Sequence, residues 1–318
     1  MSFSSKVKNE VCRYDELEEK EAMALLSAIM RASGTLTFGK NKGMGFKITT
    51  ENAAITRLVF KILKNTLNIH TNIMIKKSNS FKKNNVYIIV VNEKQGVKRL
   101  LEKTEVVKIE EIGFFINYNI SENLVYDDAT KKAYIRGAFL GGASVSNPEK
   151  TYHLEFVTNN EMYANELSKL INSYGLNSKV IQRKSNFIIY IKEGEQISDL
   201  LNIIGAHSSL LQLENIRIMK DMRNNINRIV NCETANLSKT VNAAVRQIES
   251  INLINKEIGL KRLPKNLRDM AELRLKYPDV SLKELGEMLN PPVGKSGVNH
   301  RLRRIEKIAE ELIKEGDF

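Results

Sequence analysis

The sequence predicts an α+β chain in which a duplicated α/β unit is followed by an all-α block. Two observations support this prediction. The same order of helices and strands occurs twice before residue 210, and residues 49–52 (TTEN) match residues 157–160 (VTNN) 108 positions later. Residues 263–318 show only the helical spacing of apolar residues. A period of this length is foreign to solenoid repeats and fits a duplicated domain.

Each element of the first unit is predicted from the spacing of its apolar residues and from its capping residues. Ser4 and Ser5 can cap a first helix over residues 6–13, and Gly34 ends a second helix over residues 19–31. Two further helices are expected at residues 52–67 and 96–103. Strands are expected at residues 35–38, 45–50, 70–76 and 86–92.

The second unit repeats this order. A helix over residues 131–140 is expected to break at Gly141 and Gly142. The remaining elements are a strand at 152–158, a helix at 161–174, strands at 178–183 and 187–192, and a helix at 196–204. Residues 210–262 are polar and helical, which is typical of a connector. The sequence therefore predicts a tandem-repeat domain at 1–209, a helical connector at 210–262 and a helical domain at 263–318.

The composition limits the partners and the compartment. The 318 residues carry a formal charge of +12, and positions 57–108 hold 12 Lys and Arg residues against 3 acids. This balance favours nucleic acid or an anionic membrane surface, although a solvated basic surface explains it equally well. The longest apolar run, at residues 86–91, is far shorter than the roughly 20 residues of a membrane span. Cys12 and Cys232 suggest no disulfide framework, so a reducing cytoplasm is expected.

Small residues recur on one face of the first long helix of each unit. Ala24, Ala28 and Ala32 are four positions apart, and so are Gly137 and Gly141. Residues four apart lie on the same helix face, and small side chains let two helix backbones approach closely. Ordinary helix packing explains either helix alone. Because each helix begins one copy of the repeat, we expect the two helices to pair at the centre of the domain.

These two helices resemble a known motif. Residues 26–34 (LSAIMRASG) and 135–143 (IRGAFLGGA) look like degraded copies of the LAGLIDADG motif of homing endonucleases. The resemblance implies a pseudo-twofold α/β saddle, in which an acid near the foot of each central helix binds a metal ion. The corresponding positions hold Ser33 and Gly142, which supply no carboxylate to a divalent cation. We therefore expect the LAGLIDADG-like scaffold with no catalytic residue, no metal and no nuclease activity.

A basic hairpin in the first unit corresponds to the part of that scaffold that contacts DNA. Residues 76–85 (KKSNSFKKNN) contain four lysines, several polar side chains and one aromatic ring. Such side chains suit contact with phosphates and occasional base stacking. A solubilising hairpin tip is an equally good explanation. The auxiliary DNA contacts predicted here are Lys76, Lys77, Lys82 and Lys83.

The C-terminal block has the element order of a helix-turn-helix. A helix over residues 266–277 stops at Pro278, and Ser281 with Glu284 forms a capping-box pattern for a short second helix. Residues 290–294 (NPPVG) cannot continue that helix. Ser296 can cap a third helix. The buried stripe of the third helix is expected to be Val298, Leu302, Ile305, Ala309 and Leu312.

The other face of the third helix is basic. Positions 295–307 hold five Lys and Arg residues against one acid. The N-terminal part of a recognition helix enters the major groove, where Arg bonds guanine edges and Asn bonds adenine edges. A solvated basic face is the less favoured alternative. The predicted DNA-binding residues are Ser281, Lys283, Lys295, Ser296, Val298, Asn299, His300, Arg301, Arg303, Arg304 and Lys307.

The full pattern resembles the WhiA family. Residues 281–286 (SLKELG) and 294–304 (GKSGVNHRLRR) carry the most specific part of the resemblance, and residues 231–236 (NCETAN) also look like the family. The resemblance implies a bacterial transcription regulator connected with cell division, chromosome segregation and, in some lineages, sporulation. It implies double-stranded DNA as the partner, no cofactor and no membrane. Two alternatives stay open: a nucleoid-associated DNA-binding protein without promoter specificity, and an active LAGLIDADG nuclease.

Overall fold

The computed structural model describes residues 1–13, 17–39, 43–77, 85–110 and 113–316. The chain divides into a first unit, Met1–Lys220, and a second unit, Asp221–Phe318. The three-part division at 1–209, 210–262 and 263–318 stays a prediction. No helix of the described ranges has the length and apolar character needed to cross a lipid bilayer.

The first half of the first unit follows the predicted order. Its elements are α1 (Phe3–Val11), α2 (Glu19–Ser33), β1 (Gly34–Gly39), β2 (Gly43–Thr50), α3 (Ala53–Asn65), β3 (Asn72–Lys77), β4 (Asn85–Val91) and α4 (Lys94–Lys103). The four strands form an antiparallel sheet in the order β1-β2-β4-β3. One face of this sheet, with Phe46, Ile48 and Ile89, joins the hydrophobic core of the unit.

The second half repeats the same topology. The linker before it holds strands β5 (Val107–Glu110) and β6 (Gly113–Ile116). The elements of the second half are α5 (Asp128–Gly142), β7 (Ala143–Val145), β8 (Leu154–Thr158), α6 (Glu161–Asn172), β9 (Lys179–Arg183), β10 (Asn186–Ile191) and α7 (Gly194–Ile203). The sheet order is β7-β8-β10-β9, which matches the first sheet strand for strand. The predicted duplication is therefore confirmed.

Several details differ from the sequence prediction, among them strand β7, where no strand was expected. Ser2, not Ser4 or Ser5, caps α1, and its hydroxyl accepts a hydrogen bond from the Ser5 amide at 3.2 Å. Gly141 and Gly142 do not break α5; they form its last turn, because the extended backbone begins only at Ala143. The linker between the halves holds a two-stranded hairpin, β5 (Val107–Glu110) and β6 (Gly113–Ile116), that apolar spacing did not predict.

The two central helices, α2 and α5, pack backbone against backbone. A Cβ atom on Gly137 would overlap the carbonyl oxygen of Leu25 and lie 2.8 Å from its carbonyl carbon. One turn later, a Cβ atom on Gly141 would lie 2.8 Å from the Cβ atom of Ala32. The expected pairing of the small-residue helices is confirmed, because glycine is the residue that leaves room for this approach.

Each central helix is also tied to the closing helix of its own half. The Ser27 hydroxyl of α2 donates to the carbonyl of Thr104, at the end of α4, at 2.7 Å. The Arg136 Nε of α5 donates to the carbonyl of Ile204, at the end of α7, at 3.0 Å. Ser27 and Arg136 occupy equivalent places in the repeat. The two halves therefore make the same link, from the central helix to the end of the closing helix, with two different side chains.

A single hydrophobic core holds the first unit together. The two central helices supply its middle, where Leu25, Leu26, Tyr134 and Phe139 are fully buried. Burial of one large apolar side chain contributes about 1.5–3 kcal/mol. The ring of Phe139 meets that of Phe156 edge to face, with centroids 6.3 Å apart, so α5 is fixed on the second sheet.

The second unit is helical. The long helix α8 (His207–Glu257) begins in the first unit, where Leu213 is buried, and reaches into the second, where Ile251 and Ile254 join the core. The remaining helices are α9 (Lys265–Lys276), α10 (Leu282–Glu287) and α11 (Lys295–Gly316). Ile251 and Ile254 fall inside the predicted connector, so at least this part of α8 packs with the C-terminal helices.

Gly137→Ala tests the contact between the central helices. Alanine is the better helix former by about 1 kcal/mol, so an isolated helix would gain stability. Here the added methyl group meets the Leu25 backbone, and we expect a loss of about 1–3 kcal/mol from overpacking. Urea unfolding of the full chain measures it. Gly194→Ala is the control, because its Cβ atom would make only ordinary contacts at 3.4 Å. Equal stability of both variants and the parent chain would contradict the close approach.

Candidate nucleic-acid interface

The entry into the short helix α10 follows the predicted capping box. The Ser281 hydroxyl accepts from the Glu284 amide at 3.4 Å, and the Glu284 carboxylate accepts from the Ser281 amide at 3.0 Å. These hydrogen bonds to Ser281 lower the pKa of Glu284. Arg274 of α9 donates to the carbonyl of Val280 at 2.7 Å, which fixes the turn before α10.

The turn between α10 and α11 passes close to Gly286. The Val293 amide donates to the Gly286 carbonyl at 2.9 Å. A Cβ atom on Gly286 would overlap the Val293 carbonyl oxygen and lie 3.0 Å from Cγ2 of Val298. The absence of a side chain at Gly286 therefore lets the turn fold back on α10 and sets where α11 begins.

The helix α11 begins two residues earlier than a cap at Ser296 predicts. Lys295 is its first residue, and the Val298 amide donates to the carbonyl of Gly294 at 3.1 Å. Ser296 therefore lies inside the first turn instead of capping the helix. Its side chain is exposed.

One face of α11 is buried in the core of the second unit. Leu302 and Ile305 are fully buried and Ala309 is 2% exposed, whereas Leu312 is half-buried. Val298 is also 0% exposed. Its inclusion among the DNA-binding residues is therefore wrong, because a side chain enclosed by the core offers no surface to a ligand. Val298 instead fixes the rotation of the helix.

The opposite face of α11 is basic and open to solvent. Asn299 and Arg301 are half-buried at its edges, and Lys307 lies 3.8 Å from Glu311. On α10, Ser281 and Lys283 are exposed, with Lys283 3.9 Å from Glu287. Exposed pairs of this kind contribute little, so both lysines stay available to an anion. The fully exposed predicted residues of α11 are Lys295, Ser296, His300, Arg303, Arg304 and Lys307.

The basic hairpin of the first unit is described only in part. Lys76 and Lys77 are exposed at the end of β3, which is the edge strand of its sheet. Lys82 and Lys83 lie outside the described residues. An edge position with two exposed lysines is compatible with phosphate contact and with simple protection of the edge.

The two positions that carry acids in the resembled endonucleases are used for packing. The Ser33 hydroxyl donates to the carbonyl of Ile29, one turn back in α2, at 2.9 Å. A Cβ atom on Gly142 would lie 3.1 Å from both the Ala32 Cβ and the Val157 carbonyl oxygen. Within the described ranges, no group of three His, Cys, Asp or Glu side chains could hold a metal ion.

A polar row on α8 was missed by the search for apolar spacing. It consists of exposed amides and cations at intervals of three, four or eight residues, so its members share one helix face. Residues 231–236, the segment whose likeness to the family had no physical explanation in the sequence, contribute Asn231 to this row. The helical period of the Asn and Arg residues is the signal that could have identified the row. Its members are Asn224, Arg228, Asn231, Lys239, Asn242 and Arg246.

Three family models match this chain in succession. The WhiA N-terminal LAGLIDADG-like domain matches residues 19–107, the WhiA LAGLIDADG-like domain matches residues 131–223, and the WhiA C-terminal HTH domain matches residues 226–309. The first two matches coincide with the two halves of the repeat. The third contains α9, α10 and α11 up to residue 309, and it reaches back into the polar row of α8.

Similar proteins support the same assignment over the whole length. The probable cell division protein WhiA of Clostridium tetani is 94% identical over 318 residues, all of both chains. The crystal structure of "full-length DUF199/WhiA from Thermatoga maritima" is 27% identical, has a TM-score of 0.60, and covers 98% of this chain and 99% of that one. The N-terminal LAGLIDADG domain of DUF199/WhiA is 22% identical with a TM-score of 0.50, covers 64% of this chain and 90% of that one, and shows the shared fold. The predicted LAGLIDADG-like saddle with a helix-turn-helix is confirmed.

Gly286→Ala tests how the turn positions α11. The methyl group would displace Val293, so we expect the second unit to lose about 1–3 kcal/mol through overpacking. Thermal unfolding of the full chain, followed by helix content, measures the loss. Gly294→Ala is the matched control, because nothing lies within 4 Å of the Cβ position there. If Gly286→Ala unfolds at the temperature of the parent chain, the turn does not depend on this approach.

Proposed function

The chain belongs to the WhiA family, and from this we propose that it is a DNA-binding transcription regulator that acts in cell division. Its relatives are named probable cell division proteins, and its C-terminal part matches a helix-turn-helix model. The observation that carries the proposal is the orientation of α11. A stripe that is buried from Val298 to Ala309 turns the basic face outward, where it meets solvent at the start of the helix.

The proposed docking follows from the positions along α11. The first turns of a recognition helix reach base edges in the major groove. Asn299, His300, Arg301 and Arg303 lie in these turns and are proposed to read bases. Arg304 and Lys307 lie further along and are proposed to contact phosphates, together with Lys283 and Lys295. Ser281 and Ser296 are proposed to add hydroxyl contacts to the backbone.

The basic hairpin is proposed as an auxiliary contact in the first unit. Lys76, Lys77, Lys82 and Lys83 would add phosphate contacts and salt dependence without reading sequence. We further propose that the regulated genes concern division, chromosome segregation and, in spore formers, sporulation, and that the protein resides on the nucleoid in the cytoplasm. The domain division at 1–209, 210–262 and 263–318 is proposed with this role.

Two other functions compete with this proposal. A nucleoid-associated protein would use the same basic faces without promoter preference, and genome-wide footprinting separates it from a regulator by the presence of discrete sites. An active nuclease would need carboxylates at the ends of the central helices. Ser33 and Gly142 stand there, so we propose that the first unit is no nuclease.

Alanine substitutions along α11 test the proposed base and phosphate contacts. Arg301→Ala and Arg303→Ala should each lose about 1–3 kcal/mol on a genomic site and relax discrimination against a scrambled duplex. Lys307→Ala should weaken both duplexes alike and reduce the salt slope by about 0.9. Fluorescence anisotropy at several salt concentrations measures all three variants.

Lys314→Ala is the matched control for this series, because Lys314 is exposed on the same helix about two turns beyond Lys307. It should bind both duplexes like the parent chain. If the three test variants also keep parental affinity and specificity while folded, α11 is not the reading helix, and the first unit becomes the better candidate.

Plasmid cleavage tests the absence of nuclease activity. Supercoiled plasmid incubated with the purified chain and either Mg²⁺ or Mn²⁺ should stay supercoiled, because no carboxylate stands at the foot of α2 or α5. A preparation of Ser33→Ala is the control for contaminating nuclease. Cleavage that persists through purification and disappears in this variant would overturn the proposal.

A further inference from the structure

The first unit contains a large cleft where its two halves meet. The cleft has a volume of about 1120 Å³ and is open to solvent. The helix α1 and the first turns of α3 form two walls, and the end of β2, β4 and β7 also contribute lining residues. Ligand cavities commonly measure about 300–1,000 Å³, so this cleft, which is slightly larger, has room for a molecule of nucleotide size.

The cleft is lined by an excess of positive charge. Lys8, Arg13, Arg57 and Lys61 line it, and Glu51 is the acid among the lining residues. Glu51 and Lys61 both have interactions within the protein, and among the described lining residues four cations stand against this one acid. A concave surface lined by one sign of charge concentrates its field and attracts counter-ions.

Lys8 and Arg57 form the core of this charge. The Lys8 ammonium donates to the Leu140 carbonyl at 3.2 Å and lies 6.0 Å from the centre of the Phe139 ring, which leaves two of its three N–H groups for a ligand. Burial lowers the pKa of Lys8 to about 8. Among the residues that the structure describes, none forms a hydrogen bond or ion pair with the Arg57 guanidinium, which is exposed.

Cys12 lies between these two cations and does not neutralise them. Burial raises the pKa of its thiol to about 12, although Lys8 and Arg57 both oppose that shift. The thiol therefore stays protonated and uncharged. Cys12 therefore does not offset the positive charge of Lys8 and Arg57.

The duplication provides an internal comparison. The equivalent place in the other half is a cavity of about 200 Å³, lined by Gly34, Thr158, Asn159 and Asn160, which correspond in the repeat to Ala143, Thr50, Glu51 and Asn52 of the large cleft. Three residues of the linker between the halves, Val106, Ile116 and Tyr118, line this smaller cavity. The Arg31 guanidinium donates to the carbonyls of Asn119 at 3.0 Å and Glu105 at 3.2 Å, and also to that of Asn117.

The two equivalent places thus differ in what meets the cation. In the small cavity, backbone oxygens of the linker surround Arg31. In the large cleft, Lys8 donates to one backbone oxygen, the Leu140 carbonyl, and Arg57 is exposed without a hydrogen bond or ion pair to any described residue. We propose that the large cleft binds a phosphate group of an anionic ligand, with Lys8 and Arg57 as its two charged contacts and Tyr87 on the wall beside the rest of the molecule. Guanidinium and ammonium groups are the usual partners of phosphate oxygens.

Isothermal titration of the full chain with pyrophosphate and with ATP tests the proposal. We expect saturable binding that weakens about tenfold or more in Lys8→Met and in Arg57→Ala, as the loss of one charge-assisted hydrogen bond implies. Lys64→Ala is the matched control, because Lys64 is exposed on the same helix as Arg57 but does not line the cleft. It should bind like the parent chain. Arg57 is exposed, so its variant is expected to stay folded even if Lys8→Met does not.

Two further arms identify the source of the phosphate. Binding in Arg303→Ala should equal that of the parent chain, which separates the cleft from the proposed DNA-reading helix. A short duplex of unrelated sequence that displaces ATP, with the same loss in Arg57→Ala, would assign the phosphate to DNA; failure to displace would assign it to a small molecule. No saturable binding of either probe, or binding unaffected by Lys8→Met and Arg57→Ala, would overturn the proposal.

Discussion

The contact between Gly137 and the Leu25 backbone is the constraint on which the first unit depends. At this spacing the backbones of the two central helices pack directly against each other, and every residue of α2 from Ala22 to Met30 is buried. Each helix passes directly into the first strand of its own sheet, at Gly34 and Ala143. The position of both sheets, and of the clefts beside the helix ends, therefore follows from how closely these two helices approach.

The sequence predicted the features that repeat or that are local. The duplicated order, the pairing of small residues and the Ser281–Glu284 capping box depend on patterns within a few residues or on a simple period. Gly141 and Gly142 were misinterpreted because glycine is a poor helix former in isolation by about 1 kcal/mol, whereas here packing against Ala32 favours it. Val298 was assigned both to the buried face and to the DNA-binding face of α11. The spacing of apolar residues shows which face of a helix is buried, but it does not show how wide that face is. Lys8 and Arg57 are 49 positions apart, and only the fold brings both to one cleft.

The first unit keeps the scaffold of a DNA-cleaving family while its reactive positions have become structural. Ser33 satisfies a carbonyl of its own helix, and Gly142 fits between Ala32 and Val157. A side chain at position 142 would begin 3.1 Å from the Val157 carbonyl oxygen, whose partial negative charge repels a carboxylate. Glycine at position 142 is thus part of the packing of the helix pair, and the match to a helix-turn-helix model lies in the second, helical unit.

The covalent link between the two halves has a consequence for how the protein responds to dilution. A homodimer assembled on the same helix pair would come apart as its concentration fell, because its stability cannot be separated from the concentration of its protomers. Because the halves are joined in one chain, their association is intramolecular. The effective concentration of one half around the other is set by the linker of residues 104–127 and not by the number of molecules in the cell. The helix pair and both sheets therefore persist in a cell that holds only a handful of molecules.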